Sequence, residues 1–167
     1  MGKVLSNFGN GFAGQVSRSK DDVIISIKNT SASDIPFGAP VFLYQGGGVP
    51  FNTSSPQAAT AFIGFAVRVA DMTPETYPSG QNEANPAQGV WKAGSIMEVL
   101  VRGSIALPCV NGGHTGDSLR IRKSDGKLTA LAGAADSTVE LTNVVVRKPC
   151  DSYTNCCEAT VKTRNVL

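Results

Sequence analysis

Apolar residues in this chain occur in short runs, each stopped by glycine, proline or a polar turn cluster. No window holds a 3.6-residue apolar stripe over three turns. That pattern excludes a helical bundle and leaves strands as the repeating unit. Residues 23–28 carry Val23, Ile24, Ile25 and Ile27 and stop at Asn29, Thr30 and Ser31. Residues 41–44 end at Gly46, Gly47 and Gly48, and the run 62–69 holds Gly64, which marks a bulge or tight bend. Further strands are expected over 96–102, 105–107, 119–122, 128–130, 139–147 and 159–162. Asp125-Gly126 is the dipeptide of a tight hairpin between the third and fourth of these second-half runs. Strands punctuated at intervals of roughly 8–12 residues predict a sandwich or barrel. At most one helical turn is expected, around 130–137.

Composition supports the same class. The chain has 18 Gly and 9 Pro, and only 17% of it is charged, against roughly 25% in an ordinary soluble domain. Gly, Pro, Ser, Thr and Asn all disfavour helix interiors. With 41% hydrophobic residues and a net charge of +2, the chain is not of the disordered class. Fifteen Lys and Arg against thirteen Asp and Glu give no electrostatic footprint for nucleic acid. The Arg120–Ile121–Arg122 alternation reads as the solvent face of a strand. No run is long and apolar enough for a membrane helix, and no secretory h-region follows Met1, so synthesis in a cytosol is expected.

Two regions stand apart. Residues 1–22 read as an extended N-terminal arm, with a β domain over 23–167. The arm separates Val4, Leu5, Phe8 and Phe12 by glycine and asparagine, and through Lys20 it carries Lys3, Arg18 and Lys20 with no acid. Val4, Leu5, Phe8, Phe12, Arg18 and Lys20 are therefore the candidate contact residues. The second region is a long loop over 71–90, of the kind that often carries function. A tail over 149–167 contains most of the cysteines. Cys109, Cys150, Cys156 and Cys157 are disulfide candidates with the pairing open, except that adjacent Cys156 and Cys157 lie too close for normal bridge geometry. Reduced thiols are equally compatible with a cytosolic product.

Several motifs lack the context that would give them chemistry. Gly9, Gly11 and Gly14 satisfy G-x-G-x-x-G, but no buried strand precedes them and no packing helix follows to receive a pyrophosphate. Met1-Gly2 with Ser6 fits a myristoylation pattern, and Asn29 and Asn52 open glycosylation sequons; without a matching cellular route these are chance matches. His114, the only histidine, sits among turn glycines and has no nucleophile elbow to serve. A zinc site from Cys109, His114, Cys156 and Cys157 lacks any C-x₂-C pair. No acid/base pair can be named. Neither an enzyme, a cofactor nor a metal is expected.

The strand order also resembles that of a known family. Ile35, Pro36, Phe37, Gly38, Ala39, Pro40 and Val41, followed by the run 62–68, look like the opening of tailed-bacteriophage structural cement (capsid decoration) proteins. The stretch 92–105, with its glycine, Val-Leu strand and Arg102-Gly103, and the hairpin over 116–128 resemble their continuation. The resemblance covers about residues 33–130 and leaves the cysteine-rich tail without a counterpart. It implies a non-enzymatic protein on the outer surface of the virion, synthesised in the host bacterial cytoplasm. Its partner would be the major capsid protein, whose neighbouring subunits it would clamp, and it would be a homo-oligomer, trimer first and dimer second. The alternative is a virion adhesion module binding a receptor or carbohydrate, which a concave pocket formed by the 71–90 loop with Tyr77 and Trp91 would favour.

Overall fold

The computed structural model describes residues 10–69, 89–111, 113–130, 137–150 and 155–163, with 18–20 described by their backbone. The described chain is all-β: β1 Val16–Lys28, β2 Ile35–Pro36, β3 Pro40–Tyr44, β4 Gly47–Pro50, β5 Phe62–Ala66, β6 Val90–Trp91, β7 Ile96–Pro108, β8 Ser118–Arg122, β9 Leu128–Thr129, β10 Thr138–Lys148 and β11 Cys156–Val161. One 3₁₀ turn, Ala59–Ala61, precedes β5. The helical turn expected around 130–137 falls largely on residues outside the described set.

The spine of the molecule is β7. Along one edge it pairs antiparallel with β1; along the other it pairs first with β5 and then with β11. Two wings grow from that second edge, β5-β3-β4 from the first half and β11-β10-β8-β9 from the second. Their inner faces meet in one apolar cluster that contains Phe42, Phe62 and Phe65 from one wing and Leu119, Ile121, Leu141, Val144 and Val146 from the other. The path is open at β4 and β9, so the barrel expected as one option is not closed and the arrangement is sandwich-like. Three phenylalanines make this core, Phe62 lying edge-on to both Phe42 and Phe65 with ring centroids 5.8 and 5.1 Å apart.

A second cluster lies on the opposite face of the first half of β7. Met97, Val99 and Val101 pack there with Ile35, Val41, Ile63 and Ala66, flanked by Val23, Ile25 and Ile27. Side chains in a strand alternate faces. Odd-numbered residues of β7 therefore point to the second cluster up to Val101, yet Ile105 and Leu107 point to the first. The reversal falls at Gly103, whose φ is +126°. Beside it β1 bulges: Arg18 pairs with Ser104 but Val23 with Arg102. Asp22, in the bulge, occupies the space a side chain on Gly103 would need and accepts a hydrogen bond from the Ser104 amide. One long strand thus serves two cores because it is reversed in the middle. A smaller irregularity sits at Gly64, where β3–β5 pairing shifts register and a Cβ would meet the Leu100 carbonyl oxygen.

Several sequence expectations change here. The two strands expected on either side of Gly103 are one. β1 begins at Val16, inside the stretch read as an arm through residue 22, and β6, paired with β2, begins at Val90, the last residue of the stretch read as loop 71–90. Val4, Leu5 and Phe8, and the loop residues 70–88 with Tyr77, lie outside the described residues.

Candidate assembly surface

Residues 10–17 are a strap across the sheet. Gln15 and Gly14 bond Ala106 on the β1 side of β7, with Gly14 N–H donating to the Ala106 carbonyl and Ala106 N–H to that of Gln15. On the far side of β7, the Asn10 side-chain amide donates to the carbonyls of Pro149 and Cys156 at 2.7 and 2.9 Å. The chain therefore passes over β7 from its β1 edge to β11. Only glycine fits the crossing. Gly14 has φ +76°, and a Cβ there would stand 2.9 Å from Ala66 O, Arg68 N and Gly38 N. Its carbonyl accepts the Arg68 amide at 2.7 Å. The G-x-G-x-x-G match is thus a backbone crossing that feeds a strand.

The strap also covers polar groups. Ser17 donates to Glu158 Oε1 at 2.9 Å, and the Lys148 ammonium stands 3.8 Å from Oε2. Glu158 is a carboxylate on β11 with only 3% of its surface exposed. A buried charge persists only when hydrogen-bonded or paired, and here both occur. Further along, Ser104 and Thr160 hydroxyls share a bond of 2.8 Å between β7 and β11.

Where the strap meets the end of β5, aromatic groups gather. The Arg68 guanidinium lies 5.4 Å from the Phe12 ring centroid and 5.9 Å from that of Phe37. Phe37 packs edge-on to Trp91 at 6.0 Å, and the Trp91 indole N–H donates to the Val67 carbonyl. Phe12 stays 45% exposed, and Val69 next to the group is also exposed. These two, with Arg68, present an apolar and cationic patch at the base of the 70–88 segment.

The remaining candidates scatter. Arg18 and Lys20 lie on β1, their backbone in its irregular stretch. Trp91 is half-buried, its indole N–H donating to the Val67 carbonyl and its ring packed edge-on to Phe37, while Tyr77 and most of the loop expected to form a pocket with it lie outside the described residues. His114 is an exposed turn residue whose amide bonds Asp117 at 2.7 Å. Among the described residues no group of three or more His, Cys, Asp or Glu is placed to hold a metal. No described helix could cross a membrane. The four cysteines are thiols and not disulfides, with Cys109, Cys156 and Cys157 buried and Cys150 partly exposed.

Sequence reasoning missed two residues that set this surface. Asn10 left no signal, because its partners are backbone carbonyls 139 and 146 residues away. Asn29 was read as a strand stop and a chance sequon, yet it is fully buried: its amide donates to the Ser33 carbonyl, and its oxygen accepts from Ser31. The Asn-Thr-Ser run that closes β1 could have indicated such an Asx turn.

A family model described as structural cement protein (E217 gp24/Pam3 gp6) matches residues 2–162. The chain belongs to the phage structural cement protein family. Membership gives it a structural role in the phage capsid and extends well beyond the 33–130 core of the sequence resemblance, taking in the strap, β10 and β11. A solved structure described as "The capsid of Myoviridae Phage XM1" shares the fold of this cement-family chain with a TM-score of 0.70 at 15% identity, covering 97% of this chain and 96% of the other. No curated protein matches the sequence.

Proposed function

We propose that this protein binds the outer surface of an assembled phage head and clamps neighbouring major capsid protein subunits, so that the shell resists internal pressure. The cement-family match over residues 2–162 carries the reading. The geometry supports it. The strap ends at Asn10 tied down on β11, so the preceding residues start from a fixed point, and Val4, Leu5 and Phe8 supply apolar groups for a groove between capsid subunits. Phe12, Arg68 and Val69 extend the contact on the domain itself. Arg18 and Lys20 add positive charge along β1. An extended segment of this kind binds by strand addition or by seating its apolar side chains. Many copies on one shell multiply a weak single contact through avidity.

The protein is proposed to act as a homo-oligomer, a trimer before a dimer, matching local symmetry axes of the shell. Mixing purified protein with expanded, undecorated capsids tests the assignment. Stoichiometric binding with raised particle stability is the expected result, and capsids that stay bare in saturating protein refute it.

A further inference from the structure

All four cysteines of the chain converge on one corner, where the end of β7 meets the start of β11. In the β7–β11 ladder Leu107 lies opposite Cys157 and Pro108 opposite Cys156, and the Cys109 amide bonds the Asn155 carbonyl. Cys109 and Cys157 are therefore diagonal neighbours on one face. Both belong to the main apolar cluster, 6% and 0% exposed, and the Cys109 thiol donates to the Asn111 carbonyl at 3.1 Å. Cys150 packs against the same cluster, partly exposed, its thiol donating to the Cys109 carbonyl at 3.3 Å. Cys156, next along β11, faces the opposite way. Three thiols of graded accessibility thus meet at one point.

We propose that Cys109 and Cys157 are a redox pair that closes to a disulfide when the protein meets a small-molecule disulfide such as oxidised glutathione, with Cys150 as the thiol through which the oxidant enters. The Cys150 thiolate attacks one sulfur of the small disulfide, forming a mixed disulfide and releasing one thiol. Cys109 attacks the Cys150 sulfur, releasing the second small thiol and linking Cys109 to Cys150. Cys157 then attacks Cys109, and the proton it loses balances the one taken up by the departing Cys150 sulfur, which is released as a thiol. In sum two protein thiols are oxidised, one small disulfide is reduced to two thiols, and Cys150 is regenerated.

Electrostatics favour that order. Donation from Cys157 holds the Cys109 thiol below its ordinary range, while the same contact and burial push Cys157 upward. Cys109 is the better attacking group, and Cys157 reacts last. The bond would clip β7 to β11 directly beneath the Pro149 and Cys156 carbonyls that hold Asn10. Particles released from a reducing cytosol would meet the oxidising conditions that close it.

The test is to incubate the reduced, full-length protein with oxidised glutathione and map its peptides by mass spectrometry. The expected product has lost two hydrogens, retains no glutathione and yields a Cys109–Cys157 cross-linked peptide. Cys150→Ser should give the same product about tenfold more slowly, and Cys109→Ser should hold one glutathione on Cys150. A wild-type product that keeps glutathione on Cys150, ends as a Cys109–Cys150 link, or shows no oxidation overturns the pair. Oxidation of Cys150→Ser at the wild-type rate overturns the entry role. The wild-type mapping needs no variant to fold, and capsid binding plays no part in it.

Discussion

Replacing Gly103 by alanine tests whether the reversal of β7 holds the two cores together. The φ of +126° lies well beyond the left-handed well near +57° that other residues can visit. Strain of that kind costs about 1–3 kcal/mol. A Cβ would also stand 2.0 Å from Asp22 Oδ1, so the carboxylate must leave and its bond from the Ser104 amide is weakened, adding about 1–2 kcal/mol at this partly exposed site. Against these stands a gain of about 0.4–1 kcal/mol from the less flexible unfolded chain. The net is a loss of about 1–4.5 kcal/mol. For a chain of this length, that lowers Tm by about 2–18 °C.

Gly94→Ala is the control. Its φ of +77° is left-handed but nothing lies within 4 Å, so the same substitution should cost only about 1 kcal/mol. Urea unfolding of both variants, with the thiols kept reduced, gives the comparison. In an Asp22→Ala background the Gly103→Ala loss should shrink by about 1 kcal/mol, since the space has been cleared. A Gly103→Ala loss no larger than that of Gly94→Ala would refute the account of the reversal.

Other expectations follow from the same geometry. Deleting residues 2–9 should abolish capsid attachment and leave the unfolding midpoint unchanged, whereas deleting 2–20 should also destabilise the domain, because it removes the Asn10 anchor, the Gly14 crossing and the start of β1; attachment by the shorter deletion in a capsid pull-down counts against the arm. Asn29→Ala should cost about 1–3 kcal/mol in denaturant unfolding, since Ser33 O and the Ser31 donors lose a buried partner. Burial, chiefly, raises the Asp22 carboxyl, aided by Asp21 and opposed by the Ser104 amide. Its ionisation therefore opposes folding: the stability tied to its neutral form is present below the unfolded pKa and lost as pH rises through the folded one. Asp22→Asn should stabilise at neutral pH, with the gain vanishing at acid pH. The Ala93 amide and Lys92 lower Asp34, and Arg122 and the Lys127 amide lower Asp125. Their contribution is present above the unfolded pKa and lost as pH falls through the folded values, so Asp34→Asn should flatten the acid limb of a Tm–pH curve.

Most strands were legible because alternating apolar runs and glycine-rich stops are local signals. Residues 41–44, 119–122 and 139–147 all fall within β3, β8 and β10, and Asp125-Gly126 turns between β8 and β9, with Gly126 at φ +69°. The errors cluster where pairing is long-range. β4 was read as a glycine turn because Gly47 and Gly48 have no β propensity; they are strand because Tyr44 and Leu43 pair with them, and because a side chain at either would strike Thr30 or Met97. Residues 16–22 looked like an arm because Asp21, Asp22 and their polar neighbours break the apolar pattern. That break is the bulge that lets β1 follow β7 around its reversal.

By itself the amino-acid sequence determined the all-β class, the turn positions and the shortage of charge that suits a surface made for neighbours, since each depends on residues adjacent in the chain. The order of the family's strand motifs was legible for the same reason. Tertiary structure alone decided that one strand serves two cores, that the glycine-rich start crosses the sheet, and that Cys109 shares a corner with the three cysteines of the tail. Those features rest on contacts between residues up to 146 positions apart, which no local pattern encodes. A glycine reads the same in a turn, a crossing and a reversal; what distinguishes them is the atom standing where its side chain would be.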